Sequence, residues 1–189
     1  GFEAEVCLAV DALQSVGALA PALAAFSESF PATRLRVLET TLSGTTEALL
    51  EQRADLILGP EVPVGFVGRP LHSATLIPVA APSHPLCAQG HDLDEQDLRS
   101  HRQLVLRDSG AKRSIDAGWL QAEKRWTVSH FATSIELLKS GLAFAFLPQG
   151  WISKELAAGE LMRLPLSQPM DRPVPIFLIL AAQQAAGPA

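Results

Sequence analysis

Three strand-like runs near the start of the chain alternate with two helical stretches, and this alternation constrains the fold more than any other feature. EVCLAVD (5–11), TRLRVLET (33–40) and ADLILG (54–59) are rich in branched apolar residues. Between the first two runs, Leu19, Leu23, Phe26 and Phe30 recur at helical spacing, and Pro31 ends the helix. Between the second pair, TLSGTTEALLEQR opens on small and hydroxyl-bearing residues and predicts a helix starting at Ser43 or Gly44. A β-α-β-α-β order predicts a parallel sheet with crossover helices.

A Gly- and Pro-rich stretch, EVPVGFVGRPLHS (61–73), follows, and then the pattern restarts. ATLIPVAAP (74–82) predicts a strand, SHPLCAQGHDLDEQDLRSH a polar loop with a short acidic helix, and RQLVLRD a strand. GWLQAEKRWTVSH predicts a turn into a strand, TSIELLKSG a helix stopped by Gly141, and LAFAFLP a strand ended by Pro148. WISKELAAG predicts a helix ended by Gly159, and ELMRLPL and PVPIFLILA the last strands, the latter returning to the first lobe. The expected fold class is α/β in two lobes, one built from residues 1–75 and 166–189 and the other from 76–165. In such sheets ligands sit at the carboxyl ends of strands, near helix N-termini.

The charge balance narrows the function classes. A net charge of −5 argues against these residues gripping a phosphate backbone. An apolar fraction of 48% supports a packed core, and 19% charged residues is not the profile of a disordered chain. Two cysteines, Cys7 in a strand and Cys87 in a polar loop, make no disulfide framework and mildly favour a reducing compartment. No run approaches the roughly 18 apolar residues of a membrane span. GFEAEVCLAV, with two acids and no basic region, does not read as a signal peptide.

The helix start at Ser43 combines orphan N–H groups with a positive dipole end, a setting that favours an anion. Gly44 permits close backbone approach, and Ser43, Thr45 and Thr46 add hydroxyls. The same residues serve equally as a plain helix cap, with Glu47 complementing the dipole in the first turn. DALQSVG (11–17) repeats the strand-to-helix geometry. VSHFATS (128–134) places His130 and Phe131 at another such junction, where a lone histidine is also an ordinary surface residue. His84, Cys87 and His91 are zinc-binding types, but their spacing matches no closed structural site, so no metal is expected. No G-x-S-x-G elbow and no phosphate-binding glycine motif occurs, so neither an enzyme nor a bound cofactor is expected. LDEQD (93–97) has the look of a solvated helix start.

Four stretches together resemble the effector-binding domain of LysR-type bacterial transcriptional regulators. They are LAPALAAFSESFPATRLRVLE, LSGTTEALLEQRADLILG, APSHPL and KSGLAFAFLPQGWISKELAAGELMRLPL, in that order and over nearly the whole chain. The resemblance implies two Rossmann-like lobes joined by two crossover strands, as in periplasmic binding proteins. It implies a small polar or anionic effector in the interlobe cleft. Contacts would come from Asp11, Ala12, Leu13 and Gln14, from Ser43, Gly44 and Thr45, and from His130 and Phe131, with Arg107 and Asp108 at the end of RQLVLRD as further candidates. It further implies a homodimer through this domain, a tetramer in the full-length regulator, and a cytoplasmic setting. The family's winged helix-turn-helix and linker helix do not occur in these residues, and AAQQAAGPA stops where the family often continues. The chain is thus expected to be trimmed, with DNA contacted only through the absent N-terminal domain. A stand-alone solute-binding protein for transport is the alternative.

Overall fold

In a computed structural model of the chain, residues 4–112 and 118–184 are described. The outer residues of GFEAEVCLAV and AAQQAAGPA lie outside them. The chain forms two compact units. The first comprises Gly1–Ser73, Asp108–Ile115 and Pro175–Ala189; the second comprises Ala74–Arg107 and Asp116–Val174. Two strands, β4 (Gly68–Ala80) and β9 (Arg172–Leu180), pass from one unit into the other.

Unit 1 is built on β1 (Glu5–Asp11), α1 (Ala20–Ser29), β2 (Arg34–Thr40), α2 (Ser43–Leu50) and β3 (Leu56–Gly59). β1 pairs in parallel with both β2 and β3, and β3 pairs antiparallel with the end of β9. The parallel register brings the carboxyl ends of β1 and β2 level, Asp11 opposite Thr40. Cys7, Ala9, Ala48, Leu49, Ala54, Ile57 and Ile179 make the core of this unit. Asp55 ties the start of β3 to β1: its Oδ2 accepts from the Cys7 N–H at 2.7 Å, and its own N–H donates to the Cys7 carbonyl at 2.8 Å. α1 differs from α2 in burying none of its residues, despite its apolar stripe.

Unit 2 holds the rest of β4, α3 (Pro85–Ala88), α4 (Glu95–Arg99), β5 (Arg102–Leu106), β6 (Lys124–Val128), α5 (Phe131–Lys139), β7 (Phe144–Pro148), α6 (Ser153–Ala157) and β8 (Met162–Arg163). β5 runs parallel to β6 and β7, whereas β4 runs antiparallel to β7 and β8. Ala80, Leu86, Leu93, Leu98, Ala122, Phe144 and Leu164 form its core. Asp94 and Asp97 close a reciprocal capping box on α4, accounting for the acidic LDEQD run.

Several elements depart from expectation. β4 starts at Gly68, inside the Gly- and Pro-rich stretch and ahead of the strand expected from residue 74; tertiary pairing overrides weak strand propensity there. Cys87 lies in the short helix α3 rather than in a loop. ELMRLPL contributes only the two residues of β8. The segment after Arg107 belongs to unit 1, although the sequence placed it within 76–165.

Candidate functional site

The tip of α2 is held by carboxylates of the chain itself. Asp11, at the end of β1, accepts from the Leu13 N–H at 2.9 Å, the Leu42 N–H at 3.0 Å and the Thr45 hydroxyl at 2.8 Å. Thr45 also meets the Thr40 hydroxyl at 2.8 Å, linking β2 to the helix. Asp108 accepts from the Ser43 hydroxyl at 2.7 and 2.8 Å, from the Ser43 N–H at 3.4 Å and from the Gly110 N–H at 2.7 Å. The capping and ligand readings of the tip thus meet a third arrangement: the donors face Asp11 and Asp108. Burial, with Asp108 close by, pushes the Asp11 carboxyl up, against the three hydrogen bonds that favour its charged form.

The segment from Asp108 to Lys112 is strapped across the helix. Ser109 Oγ accepts from the Thr41 N–H at 2.8 Å, and its own N–H donates to the Thr41 carbonyl. The Glu47 carboxylate takes the N–H groups of Ala111 and Lys112 at 2.8 and 3.0 Å, and Lys112 Nζ reaches Glu51 at 2.8 Å. Glu47 therefore lies beyond the first turn and holds the strap instead of complementing the dipole. Gly44 serves the same packing. A Cβ there would lie 2.0 Å from Ser109 Oγ and 3.0 Å from its carbonyl carbon, so the close approach is made by the strap. Leu42, just before the helix, sits at φ 52°, a left-handed conformation that its bond to Asp11 helps to hold. At the end of β3, a Cβ on Gly59 would come 2.9 Å from the Thr45 methyl.

Beside this network Gln14 is buried, and its Oε1 accepts from Nε2 of the exposed His72 at 2.5 Å. Its Nε2 donates to the Ser15 carbonyl at 3.0 Å, so Oε1 must be the acceptor and His72 the donor. Ala12 is fixed by donating to the Thr40 carbonyl. Asp11, Ala12, Leu13, Gln14, Ser43, Gly44, Thr45 and Asp108 therefore all belong to one polar edge of unit 1.

Arg107, His130 and Phe131 belong to unit 2. Arg107 follows β5 and donates its N–H to the Val128 carbonyl at the end of β6. His130 is the N-cap residue of α5, exposed and making no side-chain capping bond. Phe131 is buried, its ring centred 5.9 Å from that of Trp151 and tilted 57° to it. Arg107 and His130 thus stand at the ends of two paired parallel strands, ahead of a nine-residue helix.

The zinc-type residues have other work. His84 caps α3, its Nδ1 accepting from the Leu86 N–H at 3.1 Å. Burial, and then the nearby His101, push His84 down to about 4. Cys87 is half-buried, and burial pushes its thiol up. His91 Nδ1 faces the Gln89 carbonyl at 3.2 Å. Among the described residues no group of three His, Cys, Asp or Glu side chains is placed to hold a metal ion.

Ser109, Thr40, Gly59 and His72 were not singled out in the sequence. Only the strand-to-helix junctions carried a local signal; these partners come from distant stretches.

Comparison with known proteins places this geometry. A family described as the LysR substrate binding domain matches residues 1–189. The chain is 30% identical over 167 residues to the uncharacterized HTH-type transcriptional regulator YeeY of Escherichia coli K12, covering 86% of this chain and 54% of YeeY. It is 26% identical over 168 residues to the HTH-type transcriptional activator AllS of Klebsiella pneumoniae, covering 86% and 62% of the two chains. The chain thus spans about half the length of the curated relatives it matches. Among solved structures, the CrgA regulatory domain from Neisseria meningitidis superposes with a TM-score of 0.73 at 21% identity, covering 99% of this chain and 93% of that one. The CcmR regulatory domain of Synechocystis PCC6803, in complex with 2-PG, gives 0.71 at 16% identity over 93% and 86%. Both share the fold.

Proposed function

The chain belongs to the LysR substrate-binding domain family, and from that premise we propose that it senses a small-molecule effector on behalf of a helix-turn-helix transcriptional regulator. The observation that carries this reading is the clustering of polar groups at the carboxyl ends of the parallel strands in each unit. In unit 1 the cluster is built around Asp11, Ser43, Thr45 and Asp108; in unit 2 it consists of Arg107 and His130.

The two edges differ in chemistry. The α2 donors already face two carboxylates, so an anionic group is received in unit 2, at exposed Arg107 and His130. Unit 1 offers polar contacts through Gln14 and His72. The effector in this reading is a small metabolite with an anionic group.

The domain is non-catalytic in this reading. Ser43 and Thr45 give their hydroxyl protons to carboxylates rather than to a histidine base. Signalling then requires only differential affinity: the effector binds one state of the domain better and shifts its population. The shift reaches DNA through a winged helix-turn-helix outside these residues. A second copy of the chain covers α1, whose Leu23 and Phe26 are only half-buried and whose neighbour Phe30 is 56% exposed. Dimers of this kind would build the full-length tetramer. The setting is cytoplasmic, as for a regulator that reaches DNA. No helix among the described residues is long and apolar enough to cross a membrane. The named relatives are regulators, which leaves the transport alternative without support.

A thermal-melt screen against small carboxylates, amino acids and aromatic acids tests the reading. A ligand at about 100 times its Kd adds about 2.7 kcal/mol, a readily seen rise in midpoint. The expected result is that one carboxylate class raises the midpoint and that Arg107→Ala and His130→Ala each reduce the rise. A carboxylate-induced rise that survives both substitutions overturns the assignment to unit 2, and silence across the whole panel counts against effector sensing.

A further inference from the structure

One place in unit 2 leaves buried hydrogen-bonding groups unmatched. Gln103, on β5, is 3% exposed, and its Nε2 donates to the Trp119 carbonyl at 2.8 Å. Among the described residues, its Oε1 has no hydrogen-bond partner, and neither has Nε1 of Trp119; both atoms are sealed from solvent. Buried polar groups of native proteins are nearly always satisfied, and exceptions call for an explanation. Exchanging the amide O and N is none, because it would break the bond to the Trp119 carbonyl.

The surroundings are aromatic. The parallel register of β5 and β7 pairs Gln103 with Phe144, so the two side chains leave the same face of the sheet, and Phe146 shares that face two residues on. The Trp119 ring lies 6.0 Å from both phenylalanine rings. Buried Leu86, Leu93 and Leu98 complete an apolar cluster. A third such atom, Arg102 Nε, belongs elsewhere: Arg102 points to the opposite face, and its guanidinium lies 4.3 Å over the Trp126 ring.

The two unmatched atoms are complementary, one an acceptor and one a donor. A hydroxyl is the smallest group that serves both, accepting from the indole N–H and donating to the amide oxygen. We propose that unit 2 contains an internal binding site for one small, neutral, hydroxyl-bearing molecule, held between Gln103 Oε1 and the Trp119 indole N–H and walled by Phe144 and Phe146. Water presents this hydroxyl in its simplest form; a small aromatic alcohol presents it with a ring that suits the walls.

Proton–nitrogen NMR of the 15N-labelled chain separates these cases. The protein has three tryptophans, and Trp119→Phe identifies the Trp119 indole signal by its loss. A cross-peak from the Trp119 indole proton to a long-lived bound water is the result expected for water. Loss of that cross-peak with a downfield move of the indole signal on adding phenol is the result expected for an organic occupant. An indole proton with neither a water cross-peak nor a response to phenol overturns the proposal. Gln103→Met, which keeps the bulk and removes the acceptor, should abolish the Trp119 water cross-peak and leave the Trp126 and Trp151 signals in place. An undiminished cross-peak in that variant removes Gln103 from the site. The wild-type spectrum decides alone should Gln103→Met fail to fold.

Discussion

Replacing Asp108 by Ala should destabilise the chain more than any single substitution among the donors it serves. The carboxylate accepts from the Ser43 hydroxyl, the Ser43 N–H and the Gly110 N–H. Ser43 is fully buried and Asp108 nearly so. A hydrogen bond to a charged group contributes about 1.5–3 kcal/mol, and a buried donor deprived of its acceptor loses a similar amount. The longer 3.4 Å contact is the weakest of the three and adds little of its own. Relaxation of the strap recovers part of the loss, so Asp108→Ala should cost about 3–4 kcal/mol. Asp108→Asn keeps one acceptor oxygen but loses the charge opposite the helix dipole, for about 1–2 kcal/mol. Ser43→Ala removes one donor and leaves the other two on the carboxylate, for about 1 kcal/mol. Urea unfolding at neutral pH, with the slopes checked for equality across the variants, gives the ranking. If Asp108→Ala falls within about 0.5 kcal/mol of wild type, or Ser43→Ala costs more than Asp108→Ala, Asp108 does not hold the helix tip as argued.

Two further outcomes follow from buried and unburied groups elsewhere. His84 is held near 4, below the ordinary histidine value of 6.5, so the unfolded chain takes up a proton first as the pH falls. The stability it contributes is therefore present above about 6.5 and lost on the way down to about 4, amounting to about 1 kcal/mol by pH 5 once solvent screening is allowed for. His84→Asn, which can still cap α3, should show a smaller loss in urea titrations between pH 7 and 5, and an equal loss would refute the cause. Phe30→Glu places a charge beside the uncovered stripe of α1. Excluding one phenylalanine from an interface forfeits about 1.5–3 kcal/mol, so sedimentation should show a dimer weakened about 10- to 100-fold, whereas unchanged association would move the interface elsewhere.

The elements with strong local periodicity were legible. EVCLAVD forms β1 over the same seven residues, α2 begins at Ser43 as its small and hydroxyl residues indicated, and Gly141 follows α5 at φ 77°. Where composition and pairing disagreed, composition misled. Gly68 and Pro70 look like loop residues, yet they begin a thirteen-residue strand, because strand formation answers to neighbours across the sheet more than to residues along it. ELMRLPL was read as a strand, yet only two of its residues pair as β8.

The site divides along the same line. Its positions lie at strand ends and helix starts, which a sequence can mark, but its bonds join residues far apart in the chain. Ser43 meets Asp108 across 65 residues, Gln14 meets His72 across 58, and Glu47 meets Ala111 across 64. No periodicity encodes such a pairing. The consequence reaches beyond bookkeeping, because it changes what the α2 tip is for. Read locally, SGTT is a set of donors awaiting an anion. Read with its distant partners, the same set holds β1 and the strap in register. Rigid placement of that kind is what a sensing domain needs if the differential affinity of a ligand is to move one defined equilibrium rather than be absorbed by local adjustment. In the proposed reading, the recognition of charge then falls to the exposed groups at the ends of β5 and β6.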